Sequence, residues 1–240
     1  MQFFKPHFFL FRLSTPSPHP YHSLLLSYLQ LRRAIGWLGI SLAPVLLLGF
    51  LFLSPDCPVP PSISHFYYTT MGTYFTGTLI AIALFLFFYS GPAWADRIAA
   101  SSAAICSCIV AFCPTSSYCS QCPSCNFILL QPYPPVTFLH YTAALLLFLI
   151  LAFFCLFLFT RTHPDQIPTP QKIRRNYIYR CCGVLILVSL LVLAAAEFRW
   201  FPSWNWMNNW HHLVLAGETV ALTAFGISWL IKGAVFMRDH

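Results

Sequence analysis

Charge is the scarcest property of this sequence. Only 8% of its 240 residues are Asp, Glu, Lys or Arg, against roughly a quarter in a soluble domain. Acids are the rarer sign: there are six, and none precedes Asp56. So few charges cannot cover a water-facing surface, which excludes a soluble globular protein. No run of basic residues interleaves with aromatics in a polar segment, which excludes a nucleic-acid partner despite the net charge of +7. The N-terminus lacks the clean apolar stretch and small-residue cleavage site of a secretory signal. No internal repeat is visible, which removes the usual sequence sign of an inverted-repeat transporter.

What fills the chain instead is apolar. The sequence is 58% hydrophobic and 18% aromatic, with 24 Phe and a mean hydropathy of +0.68. Phe and Leu suit lipid-facing helix surfaces, and Trp and Tyr suit the headgroup zone. Six apolar segments run over Ala34–Leu53, Thr70–Tyr89, Ile98–Cys113, Val136–Thr160, Cys181–Ala196 and His212–Ile231. Each is near the length that crosses about 30 Å of hydrocarbon at 1.5 Å per residue. The fold class expected is therefore all-α: a polytopic bundle of six transmembrane helices over residues 34–236. Residues 237–240 form a short C-terminal tail. Residues 1–33 form a basic tail with Pro, Ser and His, either cytoplasmic or a transit-type extension. Within it, Ser23–Leu31 reads as a short helix along the membrane surface. Pro44 should kink the first span, and the small residues Ala99 to Ala104 should set the third span at the centre of the bundle.

Lys and Arg set the orientation. Twelve of the thirteen fall in the tail, the loops after spans two and four, and the C-terminus; only Arg199 falls opposite. By the positive-inside rule both termini are cytoplasmic. The outer loops are then 54–69, 114–135 and 197–211.

The second outer loop holds Cys119, Cys122 and Cys125 in C-x2-C-x2-C spacing, with Cys113 and Cys57 nearby. Outside the cytoplasm such cysteines are candidates first for disulfides or unpaired thiols, since five cannot all pair within one chain; metal ligation and thiol–disulfide exchange are the alternatives. Cys106, Cys108, Cys155, Cys181 and Cys182 read as small core residues. Trp200, Trp204, Trp206 and Trp210 read as an interfacial belt.

Ionisable residues inside spans are costly and mark sites to examine. His65, His140, His211 and Glu218 all fall toward the outer edge, and His211 and Glu218 share a helix face. Three readings follow. The first is a structural polar network. The second is a metal site on His65, His140 and His211, with zinc as the candidate ion and a lowered-pKa water hydrolysing a lipid ester or amide. The third is a proton or solute path. On the inner side, Asp96 and Arg97 form a candidate ion pair, with the Arg174–Asn176 segment as the alternative partner.

The segments SISHFYYT (62–69), AFCPT (111–115), LHYTAALLLFLILAFFCLFLFTRT (139–162), RRNYIYRCCG (174–183) and ETVALTAFGISWLIKG (218–233) resemble a family of uncharacterised, mainly bacterial, six-helix membrane proteins. The resemblance covers about residues 34–236. It marks His65, Asp96, His140 and Glu218 as matched positions and implies no activity. The long Cys- and Pro-containing loop at 113–135 departs from it, as does the basic tail. A weaker likeness is to the hydrolase superfamily of alkaline ceramidases and progestin/adiponectin-type receptors. That family's His-x-x-x-His pair is missing here, and it has seven spans. The function expected is thus a structural or lipid-interacting membrane protein, with an outer-leaflet metal-dependent lipid hydrolase and a proton-coupled or small-solute transporter as alternatives. Membrane lipids are the expected partners; oligomeric state and enzymatic status are left open.

Overall fold

The structure is a computed structural model. It describes residues 21–91, 93–115, 133–162, 168–197 and 210–235, with 21–27, 196–197 and 210–212 described by backbone alone. Six α-helices follow one another: α1 Tyr21–Leu53, α2 Gly72–Phe87, α3 Trp94–Phe112, α4 Pro134–Phe153, α5 Pro170–Glu197 and α6 Trp210–Lys232. No strand occurs among the described residues. A single-turn 3-10 helix at Ser64–Tyr68 precedes α2, and a π-turn at Phe154–Leu158 extends α4. The protein is an all-α, multi-pass membrane protein: five helices are long and apolar enough to cross a membrane, and α2, with 16 residues, is shorter. Helices are what lipid demands, since each satisfies its own backbone polar groups.

Each helix packs on its neighbours in sequence, and α6 returns to pack on α1, so the six form a closed ring. The expectation of a central third span is corrected. α3 sits in the ring between α2 and α4, burying Ala99, Ala100, Ala103, Ala104 and Ser107 while Ile98, Ile105 and Phe112 face outward. Its small residues serve close approach on one face only. Ser107 there donates to the Leu79 carbonyl of α2 at 2.9 Å.

The ring closes at a glycine contact. A Cβ on Gly226 of α6 would lie 2.6 Å from the Gly36 carbonyl oxygen and 2.8 Å from the Ile40 amide nitrogen of α1. Only two hydrogen side chains allow these backbones so near. Ile35, Leu42, Leu46 and Phe50 bury the rest of the α1 seam. Outward-facing Leu48, Phe52, Phe88, Phe138 and Leu191 give the exterior an apolar coat.

Several boundaries differ from the sequence expectation. α1 begins at Tyr21 and runs unbroken through Pro44; the 23–31 segment is part of this helix, not a separate surface helix. α5 begins at Pro170, because Thr169 caps it: its hydroxyl accepts the Lys172 amide at 3.1 Å. α4 starts on Pro134 and Pro135, at first-turn positions where no amide is missed. α2 is shorter than expected, starting at Gly72 after the 3-10 turn and ending at Phe87. Residues 1–20, Trp200, Trp204, Trp206 and residues 236–240 lie outside the described residues.

Candidate functional site

Between α1 and α2 the chain turns into the ring and lays Ser62–Thr69 across its end. The segment carries non-helical backbone into an apolar bundle, which is tolerated only where protein groups satisfy that backbone. Three helices hold the segment, α6 through its backbone and α4 and the end of α3 through its side chains. From α6, Glu218 Oε2 accepts the Ile63 amide at 2.5 Å. From α4, His140 Nε2 lies 3.0 Å from Ser64 Oγ. From the end of α3, the Thr115 carbonyl accepts the Tyr68 hydroxyl. Within the segment, Ser62 Oγ and His65 Nδ1 are 2.6 Å apart, and Thr69 Oγ1 donates to the Phe66 carbonyl at 2.8 Å.

His140 is 1% exposed and uses both ring nitrogens. Its Nδ1 lies 2.6 Å from the Cys113 carbonyl. A carbonyl can only accept, so Nδ1 carries hydrogen; in the neutral ring Nε2 is then the acceptor and Ser64 the donor. Tyr68, 1% exposed, has its phenol pushed up to about 12, by burial first and then by the neighbouring Tyr67 and Tyr141.

The structure thus brings His65, His140 and Glu218 to one segment, each through a different residue of it. The metal set expected from sequence can be followed at His65 and His140, whose Nδ1 and Nε2 atoms meet the hydroxyls of Ser62 and Ser64. The side chain of His211 lies outside the described residues. Among the described residues, no three His, Cys, Asp or Glu side chains group so as to hold a metal ion. Ser62 and Ser64 bond the two histidines. Sequence reasoning missed the backbone partners, Ile63 N and Cys113 O, because every residue carries such groups and none advertises which will be used.

Of the candidate disulfide cysteines, Cys57 is disulfide-bonded. Cys113 corrects the expectation: it is a free thiol, as are Cys106, Cys108, Cys155, Cys181 and Cys182. Cys113 ends α3 with its carbonyl turned to His140, and contributes through its backbone. Cys119, Cys122 and Cys125 lie outside the described residues.

The expected Asp96–Arg97 pair is also corrected. Asp96 pairs with Arg161 at 3.6 Å, not with Arg97 or the Arg174–Asn176 segment. Adjacent helical residues point about 100° apart, and Arg97 is exposed while Asp96 is buried. Asp96 Oδ2 also accepts the Ala93 amide at 3.1 Å, capping the start of α3.

The chain matches no protein-family model, no curated protein and no solved structure.

Proposed function

We propose that this membrane protein has a structural, lipid-interacting role, with both termini cytoplasmic and the 62–69 segment as a polar plug closing the opposite end. The observation that carries this reading is the set of bonds from one segment to three helices: Ile63 to Glu218, Ser64 to His140, and Tyr68 to Thr115. These hold the ring together at its end. The resemblance to the six-helix bacterial family supports it, since all four positions that the family marks are polar contact points. His65, His140 and Glu218 serve the plug, and Asp96 serves the inner end. The lipid-facing coat of Phe and Leu supports membrane lipids as the partners.

The orientation is tested by protease treatment of sealed vesicles carrying a C-terminal epitope. Loss of the epitope in inverted vesicles alone fits the reading, and loss in right-side-out vesicles overturns it. The role is tested on purified protein in lipid vesicles. A plug requires that Glu218→Leu lower thermal stability, with neither lipid hydrolysis nor proton flux by the parent protein. Turnover or flux abolished by a variant that remains folded would overturn it.

One observation favours a second reading, the outer-leaflet lipid hydrolase in a metal-independent form. The Ser64 hydroxyl is aimed at the acceptor nitrogen of a histidine oriented by a carbonyl, an arrangement that can activate a serine. A fluorophosphonate probe that labels Ser64 in the parent and not in His140→Gln would establish it; no label at Ser64 would remove it.

A further inference from the structure

On the outward-facing side, α3 and α4 leave a groove toward the end of the ring opposite the 62–69 segment. Trp94 and Ile98 of α3 form one wall, and Leu149 and Phe153 of α4 form the other. Ala95, Ala99 and Ser102 are small, so the floor between the walls stays low. The groove encloses about 430 Å³. Its walls are apolar and open to the surroundings: Trp94 is 72% exposed and Ile98 57%. A second hollow, lined by Arg97, Ser101 and Ile105, shares Trp94, Ile98 and Ser102 with the first, so the two run into one another.

The polar groups along this depression come in a fixed order. Arg97 is exposed and makes no hydrogen bond or ion pair among the described residues. Its neighbour Asp96 does not neutralise it: that carboxylate is buried, pairs with Arg161 at 3.6 Å and accepts the Ala93 amide. No other carboxylate side chain at this end is among the described residues; Asp165 and Asp239 lie outside them. Ser101 follows Arg97 by one turn, about 6 Å along the axis at 1.5 Å per residue, and Ser102 stands beside it. Both serines are half-buried, and neither hydroxyl has a hydrogen-bond partner among the described residues. A helical serine can return its hydroxyl to the carbonyl four residues back; these two do not. A hydroxyl left so in hydrocarbon is costly, so an occupant that brings acceptors is favoured. Deeper still, Ile105 and Leu146 offer only hydrocarbon. Cation, hydroxyls, hydrocarbon is the order of phosphate, ester carbonyl and acyl chain in a phospholipid.

We infer that the α3–α4 groove holds one anionic phospholipid, its phosphate on Arg97, an ester carbonyl on Ser101 or Ser102, and an acyl chain between Ile98 and Leu149. Charge selects this occupant. Arg97 carries a full charge with no described counter-charge, and a guanidinium takes two phosphate oxygens at once. A zwitterionic headgroup brings its own cation, which cancels much of that gain. Side chains of a helix tilt toward its N-terminus, so Arg97 reaches toward the start of α3, where headgroups lie, and not toward the bilayer centre. Trp94 at the helix start suits the same level. A second copy of the chain fits less well. Covering Arg97 at an interface needs a carboxylate, and Asp96 is already engaged.

The inference names the lipid class for the lipid-interacting role proposed above and rests on that role. The full chain in mild detergent is titrated with phosphatidylglycerol or with phosphatidylcholine, and native mass spectrometry counts the lipid each chain retains. One phosphatidylglycerol per chain is expected, held about tenfold more tightly than phosphatidylcholine, as for one hydrogen bond to a charged group. In Arg97→Gln that preference should vanish. In Arg174→Gln, an exposed cation of α5, it should persist. Leu149→Trp fills the groove and should remove the retained lipid. Thermal unfolding checks that each variant folds, and Ile98→Trp replaces Leu149→Trp should the latter not. Equal affinity of the parent for the two lipids overturns the inference. So does an equal loss of preference in Arg97→Gln and Arg174→Gln, or unchanged retention in a folded groove-filling variant. A dimer mass without retained lipid, lost in Leu149→Trp, gives the groove to a second copy and overturns it as well. Retention is read whatever the orientation of the chain or the strength of the 62–69 plug. Conversion of the retained lipid to its lysolipid would remove the structural role and leave the binding site standing, so the two failures are distinguishable.

Discussion

Glu218 of α6 accepts the backbone amide of Ile63 across 155 positions of sequence, at 2.5 Å. The bond fixes the depth of the plug against the last helix. Replacing Glu218 by Leu leaves that amide without a partner in an apolar interior. The expected cost is about 1–3 kcal/mol, and Glu218→Gln, which keeps an acceptor oxygen, should lose less. Denaturant-induced unfolding in mild detergent measures both. A Glu218→Leu protein as stable as its parent would show that the bond contributes nothing.

Ser64 and His140 should behave as one unit. Ser64→Ala and His140→Ala each remove the same 3.0 Å bond, so the double variant should lose less than the two singles added. Coupling between hydrogen-bonded side chains in membrane proteins averages about 0.6 kcal/mol. The value here should reach or exceed that, because the His140 ring is fixed on its other side by the Cys113 carbonyl. A double-mutant cycle on unfolding free energies gives it directly. Strict additivity would mean that the pair is a neighbour relation only.

Two glycines make a contrast. Gly226→Ala sets a methyl 2.6 Å from the Gly36 carbonyl, and relief requires α1 and α6 to part. A loss of about 1–3 kcal/mol is expected, as in other overpacked sites. A Cβ at Gly77 of α2 meets nothing within 4 Å. Gly77→Ala should therefore be neutral or stabilising by up to about 1 kcal/mol, since Ala favours the helix. Thermal melts of the two variants side by side decide this. Equal effects would deny that the α1–α6 seam is the tight one.

The Tyr68 phenol predicts an alkaline limit. Its folded value of about 12 stands above the ordinary 10. The neutral form is the one the fold favours, so the stability tied to it is complete below pH 10. It is lost as pH rises from 10 through 12. In Tyr68→Phe that part of the alkaline loss should vanish, although stability at neutral pH falls with the bond to Thr115. Unfolding free energies measured between pH 9 and 12 give the two slopes. Parallel slopes would remove Tyr68 as a contributor.

Much of this was legible in the residues. Apolar run lengths foretold six helices. Alternation of loops put His65, His140 and Glu218 at one depth without any contact being known. What escaped was of two kinds. The first was identity of partners where the partner is backbone, as with Ile63 N and Cys113 O. The second was direction around a helix axis. Asp96 and Arg97 are adjacent in sequence, and only the turn of α3 sends one inward to Arg161 and the other out.

The closure of the ring sets a rule for its assembly. Arg33 binds the Gly233 carbonyl and Gly36 faces Gly226, so the first helix finds its seam only on the last. During synthesis α1 enters the membrane long before α6 exists. Throughout that interval Gly36, Gly39 and Arg33 present an unfilled edge. The nascent chain is an open arc whose two ends meet only once α6 has been made, and whatever attends that edge meanwhile must leave before α6 can dock.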